Sequence, residues 1–72
     1  MTKSEVIDRI RYFRFIKRLS ARELSMRLGK HDTYISKMEI TQFNLTLEIF
    51  LAILKELDVP VQEFFAETLS FR

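Results

Sequence analysis

The sequence predicts an all-α domain built from five short helices. Three observations predict it. Apolar residues recur at helical spacing through nearly every stretch of the 72-residue chain. One Gly and one Pro leave little room for hairpins. Ser, Thr or Pro stands where several of the helices would begin, and two of these starts carry a Ser/Thr-x-x-Glu capping box.

The first helix is expected over Thr2–Lys17, opened by the box Thr2–Glu5. Val6, Ile10 and Phe13 make a single apolar stripe, widened by Ile7, Tyr12, Phe15 and Ile16. Arg9, Arg11, Lys17 and Arg18 lie off the stripe, and Arg9 reads as a solvated charge. Leu19 anchors the connection to a second helix, which starts at Ala21 behind the box Ser20–Glu23. Leu24 and Leu28 share one face of it. Gly29, the only glycine, stands where that helix should end, because glycine takes positive φ without strain. A third helix begins at His31 or Asp32 and runs to Glu39, with Ile35 and Met38 on its buried side. Helix, short turn, helix over 20–39 is the unit that lays a second helix in the major groove of DNA.

Ile40 to Leu45 separates two well-patterned segments and reads as a loop. Thr46 caps a fourth helix, whose Leu47, Phe50, Leu51, Leu54 and Leu57, with Ile53 beside them, should make it the most buried. Asp58-Val59-Pro60 breaks it, since the residue before proline avoids the α region. Pro60 suits the first turn of a fifth helix over about 61–69, with Val61, Phe64, Phe65 and Leu69 on its apolar face and a fraying tail.

Composition narrows the function. The chain is read as one domain, 1–72, near the lower size limit for an unaided core. Its apolar fraction of 47%, including seven Phe, supplies that core. No cysteine and one histidine argue against disulfides and a metal site. There is no phosphate-cradling glycine loop, so neither an enzyme nor a cofactor is expected. The longest apolar run, Ile49 to Leu54, is far short of a membrane span, and no signal region precedes the first helix. A cytoplasmic protein is expected. Charge is segregated: residues 1–38 hold ten Lys and Arg against four acids, a charge of +6, and residues 39–72 hold two against six, a charge of −4. A polyanion partner for the first half follows, although solvated helix faces would give the same pattern.

The pieces RIRYFR (Arg9 to Arg14), LSARELSMRLG (Leu19 to Gly29), YISKME (Tyr34 to Glu39) and N-x-T-L-E (Asn44 to Glu48), with LDV-PVQEFF behind them, resemble the lambda-repressor-like helix-turn-helix domain of the Cro/XRE family. Order and spacing over roughly residues 6–65 carry the resemblance. It implies a compact five-helix lambda-repressor-like domain, with the second helix across the DNA backbone and the third in the major groove. It also implies a partly buried pairing of Arg14 with Glu39.

Carried over by position, the base-facing residues are His31, Asp32, Thr33, Ser36 and Lys37. Lys37 suits guanine O6 or N7, and Thr33 suits a base edge or a thymine methyl. Asp32 either accepts from cytosine N4 or caps the third helix, and capping is favoured. His31 is a base contact, the cap itself, or an exposed turn residue. Phosphate contacts fall to Ala21 and Arg22, to Lys30, to the Asn44 loop and to Tyr34, which would otherwise pack over the turn. The chain departs from the family pattern at Ala21 (often Gln), at Lys30 (usually apolar), at Asp32, and at Ile40 to Phe43, where Gly and basic residues are usual.

Two functions fit. One is a sequence-specific DNA-binding transcriptional regulator, acting as a homodimer on two-fold-related double-stranded DNA. The other is a helix-turn-helix protein-interaction module, an antitoxin-like or modulator partner, favoured by Ile40, Phe43 and Asp32. Tyr12, Phe15, Phe64, Phe65 and Phe71 form a surplus of aromatics; some must complete the small core, and any left exposed in a cluster would mark a self-association interface. The chain leaves no room for a ligand-sensing domain, so no small-molecule ligand is expected.

Overall fold

The computed structural model describes residues 1–42 and 45–66. They form five helices: α1 (Lys3–Ile16), α2 (Ala21–Arg27), α3 (Tyr34–Thr41), α4 (Leu47–Leu57) and α5 (Val61–Phe64). Thr2 caps α1 with both arms of the box: its hydroxyl accepts the Glu5 N–H, and the Glu5 carboxylate accepts the Thr2 N–H at 2.7 Å. The Thr2 N–H first, and its hydroxyl second, hold the Glu5 carboxyl below the ordinary glutamate value. A depressed folded value means this contribution is present above the unfolded pKa and is lost as pH falls through the folded one. Ser20 caps α2 with one arm only. Its Oγ accepts the Glu23 N–H, but the Glu23 carboxylate turns to Arg27, 3.3 Å away. Thr46 caps α4 as expected.

Three helices end in the same way. After α2, Gly29 takes φ 73°, its N–H donates to Met26 O, and the Lys30 N–H donates to Ser25 O. This is a Schellman motif, which satisfies the last carbonyls of the helix. After α1 and α4 the left-handed residue is Arg18 (φ 58°) and Asp58 (φ 57°), with the same pattern from Leu19 N–H to Arg14 O and from Val59 N–H to Leu54 O. Each bond turns an apolar residue, Leu19 or Val59, back into the core.

The core gathers Ile7, Ile10 and Phe13 of α1, Leu24 of α2, Ile35 and Met38 of α3, Phe50, Ile53, Leu54 and Leu57 of α4, and Phe64 of α5, with Leu19 and Val59. On α1 the buried stripe is therefore Ile7, Ile10 and Phe13, rotated from the expected Val6, Ile10 and Phe13; Val6 is half-buried. Tyr12, Phe15 and Ile16 are exposed. Arg9 is not a solvated charge: its guanidinium donates to the Phe64 carbonyl at 2.9 Å and ties α1 to α5.

The sequence reading is corrected in the bounds of α3 and α5 and in the exposure of α4. α3 starts at Tyr34, later than His31 or Asp32, and continues through Ile40 and Thr41, so the loop is shorter than 40–45. In α4, Leu47 and Leu51 are 71% and 45% exposed, because the buried face is centred on Phe50, Ile53, Leu54 and Leu57 and these two lie on its flank. Pro60 is the N-cap of α5, not its first helical residue, and α5 spans only Val61–Phe64. Leu69 and Phe71 lie outside the described residues, as do Phe43 and Asn44.

Candidate nucleic-acid interface

α3 is held by three devices, each from a different direction. Ile35 and Met38 are buried against the core. Glu39, in the last turns of α3, is clamped by Arg14 of α1. The guanidinium donates from Nε to Oε2 and from Nη2 to Oε1, both at 3.0 Å, and from Nη1 to the Leu19 carbonyl at 3.2 Å. Arg11 Nε lies 3.5 Å from Glu39 Oε1. Both members of the central pair are buried, and the bidentate geometry fixes the helix in rotation as well as in place.

The third device is Ser25, which the sequence reading passed over. Its side chain is fully buried. Oγ donates to the Ala21 carbonyl at 2.7 Å and accepts the Ile35 N–H at 2.9 Å. The first N–H groups of a helix lack intrahelical partners. Thr33, the N-cap residue of α3, makes no side-chain cap bond. Ser25 supplies that bond from across the turn, and so docks the start of α3 on α2. A small polar residue beside Leu24 on a buried face was the available signal. Ser25→Ala is expected to cost about 1–3 kcal/mol, the penalty for a buried unsatisfied N–H. Chemical denaturation measures this directly, and an unchanged midpoint would remove Ser25 from the account.

With Ile35, Met38 and Glu39 turned inward, helical geometry turns Thr33, Lys37 and Ile40 outward, with Ser36 on the flank. Lys37 is exposed and makes no salt bridge among the described residues. The Ser36 hydroxyl donates to the Thr33 carbonyl at 3.0 Å, which leaves its lone pairs available as acceptors. Ile40 is 77% exposed and belongs to the helix, on the same face as Lys37.

The turn before α3 carries a chain of polar contacts. Arg22 Nε lies 3.7 Å from Asp32 Oδ2, and Asp32 Oδ1 lies 3.0 Å from His31 Nδ1. His31 Nδ1 also faces Thr33 Oγ1 at 3.0 Å and the Thr33 N–H at 3.3 Å. A single ring nitrogen either donates or accepts, so the Asp32 contact and the Thr33 N–H bond are alternatives. Neither His31 nor Asp32 caps α3. His31 braces the turn, and Asp32 lies between two cationic or polar neighbours.

The expected phosphate-facing residues fall into two kinds. Arg22 is extended into solvent, its side chain 73% exposed. Lys30 Nζ sits over the Tyr34 ring, 5.5 Å from its centre, and Tyr34 itself is half-buried against the core. That packing is the alternative the sequence left open for Tyr34, and it positions the Lys30 charge beside α3. Ala21 packs on the core and offers only its backbone to a ligand. Asn44 lies outside the described residues. A concavity of about 530 Å³ lies elsewhere, between α1 and α5, lined by Tyr12, Phe13, Ile16 and Phe64 among others; none of the expected DNA-facing residues borders it.

The fold and this surface define an all-helical domain that presents one short helix, α3, from a helix-turn-helix. The comparison with protein families agrees: residues 10–64 match the helix-turn-helix family HTH_3. The chain belongs to that family, the Cro/C1-type helix-turn-helix of DNA-binding domains. No curated protein matches the chain, and no solved structure does. None of the described helices is long and apolar enough to cross a membrane.

Proposed function

We propose that the chain is a sequence-specific transcriptional regulator that binds double-stranded DNA as a two-fold dimer. α3 lies in the major groove, with Thr33, Ser36 and Lys37 towards base edges and His31 and Asp32 at the groove's lip. Arg22 and Lys30 meet the phosphates on either side, and Tyr34 sets Lys30 in place. The observation that carries the reading is the two-faced α3. Its inner face is fixed by Ile35, Met38 and the Arg14–Glu39 clamp, and its outer face offers two hydroxyls and the Lys37 ammonium, which makes no salt bridge among the described residues. A reading helix needs that rigidity, because base contacts discriminate only when the donors are held in register.

Self-association is supported by a groove between α4 and α5. Leu47, Leu51, Val61 and Phe65 line it, exposed by 71%, 45%, 44% and 41%. Two chains per duplex is the expected stoichiometry in sedimentation of the complex. Ile40 favours a second reading, in which the outer face of α3 meets a protein in place of DNA.

Lys37→Ala tests the first reading. It is expected to weaken binding to the preferred duplex by about 1–3 kcal/mol and to relax preference at one base pair. Equal weakening on all duplexes would make Lys37 a phosphate contact. An unchanged affinity would favour the protein-interaction reading.

A further inference from the structure

We propose that Asp32 gates the phosphate contact of Arg22, so that this contact forms fully only on the correct base sequence. The proposal rests on the DNA-binding reading above.

Asp32 makes no cap bond to α3. The helix begins two residues later, Thr33 is its cap residue, and the Ile35 N–H is taken by Ser25. The carboxylate instead faces Arg22 Nε at 3.7 Å through Oδ2 and His31 Nδ1 at 3.0 Å through Oδ1. The Arg22 and Asp32 side chains are 73% and 43% exposed, so the pair is open to solvent and weak. It is thus an exchangeable contact and not a strut.

Arg22 differs in this from the other cations of the surface. Lys30 rests on the Tyr34 ring, and Lys37 makes no salt bridge among the described residues. Of Arg22, Lys30 and Lys37, only Arg22 has an acid beside it among the described residues, and that acid stands at the start of α3; Arg27, at the far end of α2, pairs with Glu23 of its own helix. On an arbitrary duplex, Asp32 stays beside Arg22. The carboxylate cancels its charge and repels the phosphate that would replace it, so Arg22 releases little counterion. A site that presents a cytosine at the start of α3 changes the balance. The cytosine N4–H donates to the Asp32 carboxylate, which swings towards the base. The Arg22 guanidinium is then left to the DNA backbone. One base contact produces two gains, and discrimination rises because non-specific affinity is held down.

The test measures affinity by fluorescence anisotropy between about 50 and 200 mM salt, the range over which phosphate contacts are lost most visibly. Wild type, Asp32→Asn, Arg22→Gln and the double variant are compared. The probes are a duplex enriched from a random pool and a scrambled duplex of the same length. Asp32→Asn is expected to bind the enriched duplex several-fold more weakly, because a neutral amide oxygen accepts the cytosine N4–H less strongly than a carboxylate does. It is expected to bind the scrambled duplex several-fold more tightly, with a salt slope steeper by about 0.9, one phosphate. That second gain should vanish in the Arg22→Gln background. If Asp32→Asn strengthens both duplexes alike, with or without Arg22, Asp32 is only a diffuse negative charge and the proposal is overturned while the regulator reading stands. If wild type shows no preference between the duplexes, the regulator reading fails and the proposal fails with it.

Discussion

Replacing Arg14 with methionine is expected to destabilise the domain by about 3–5 kcal/mol, the cost of leaving one member of a buried ion pair behind. Glu39 would keep only Arg11, at 3.5 Å and on a side chain 45% exposed, and the Leu19 carbonyl would lose its Arg14 donor. A chain this small has a total stability on the order of 4–11 kcal/mol, so the loss is a large part of the whole. Thermal unfolding should fall by well over 10 °C, at roughly 4–8 °C per kcal/mol for a domain of this size. Glu39→Gln should show a smaller loss, because one hydrogen bond survives. The double variant Arg14→Met/Glu39→Leu is the informative control. Apolar replacement of a whole buried pair is often close to neutral, so the double variant should recover much of the stability. It should not recover DNA site preference, because no apolar contact fixes the rotation of α3 as the bidentate clamp does. Single variants that melt like wild type would remove the clamp from this account.

Phe64→Ala is expected to cost about as much, roughly 3–5 kcal/mol, for a different reason. Phe64 is fully buried and is the hub of an aromatic cluster. Its ring centre lies 5.7 Å from that of Phe13, 5.0 Å from that of Phe50 and 5.0 Å from that of Phe65. α5 has four residues, too few to persist without packing. Loss of the ring should free α5 from the body and release the Phe64 carbonyl from Arg9. Hydrogen exchange would show this as lost protection at α5 beyond the global change. Phe64→Leu, which keeps most of the volume, should lose far less. A melting temperature insensitive to Phe64→Ala would mean that α5 is not part of the core.

Much of the architecture was legible because it is written locally. Thr2, Ser20 and Thr46 each accept the N–H three residues on, and Gly29 marks its turn by being the one residue that adopts positive φ without cost. The same logic hid three other turns. Arg18, Gln42 and Asp58 take the same left-handed conformation without the glycine that announces it. Buried faces were legible in direction but not in cover. Periodicity places Leu47 and Leu51 on the stripe of α4, but what lies opposite them is a tertiary fact.

The start of α3 was the least legible part. Its first turn is held by Ser25 from another helix and by the contact of His31 with Thr33. A residue type such as Asp before a helix suggests a cap, and here the cap bond came from elsewhere. The choice of candidate DNA-facing residues rests on the family resemblance alone. Composition showed a basic half, but not which cations are free, which stack, and which carry an acid of their own.

The central claim is that the outer face of α3 reads duplex sequence. The most direct test is selection of bound sequences from random duplex DNA, followed by affinity for the enriched duplex against salt. The expected result is an enriched site with two related halves about 34–36 Å apart, one helical turn. Log affinity should fall linearly with log salt, with a slope of about −0.9 for each phosphate contacted. No enriched sequence, or an affinity that does not change with salt, would contradict the claim.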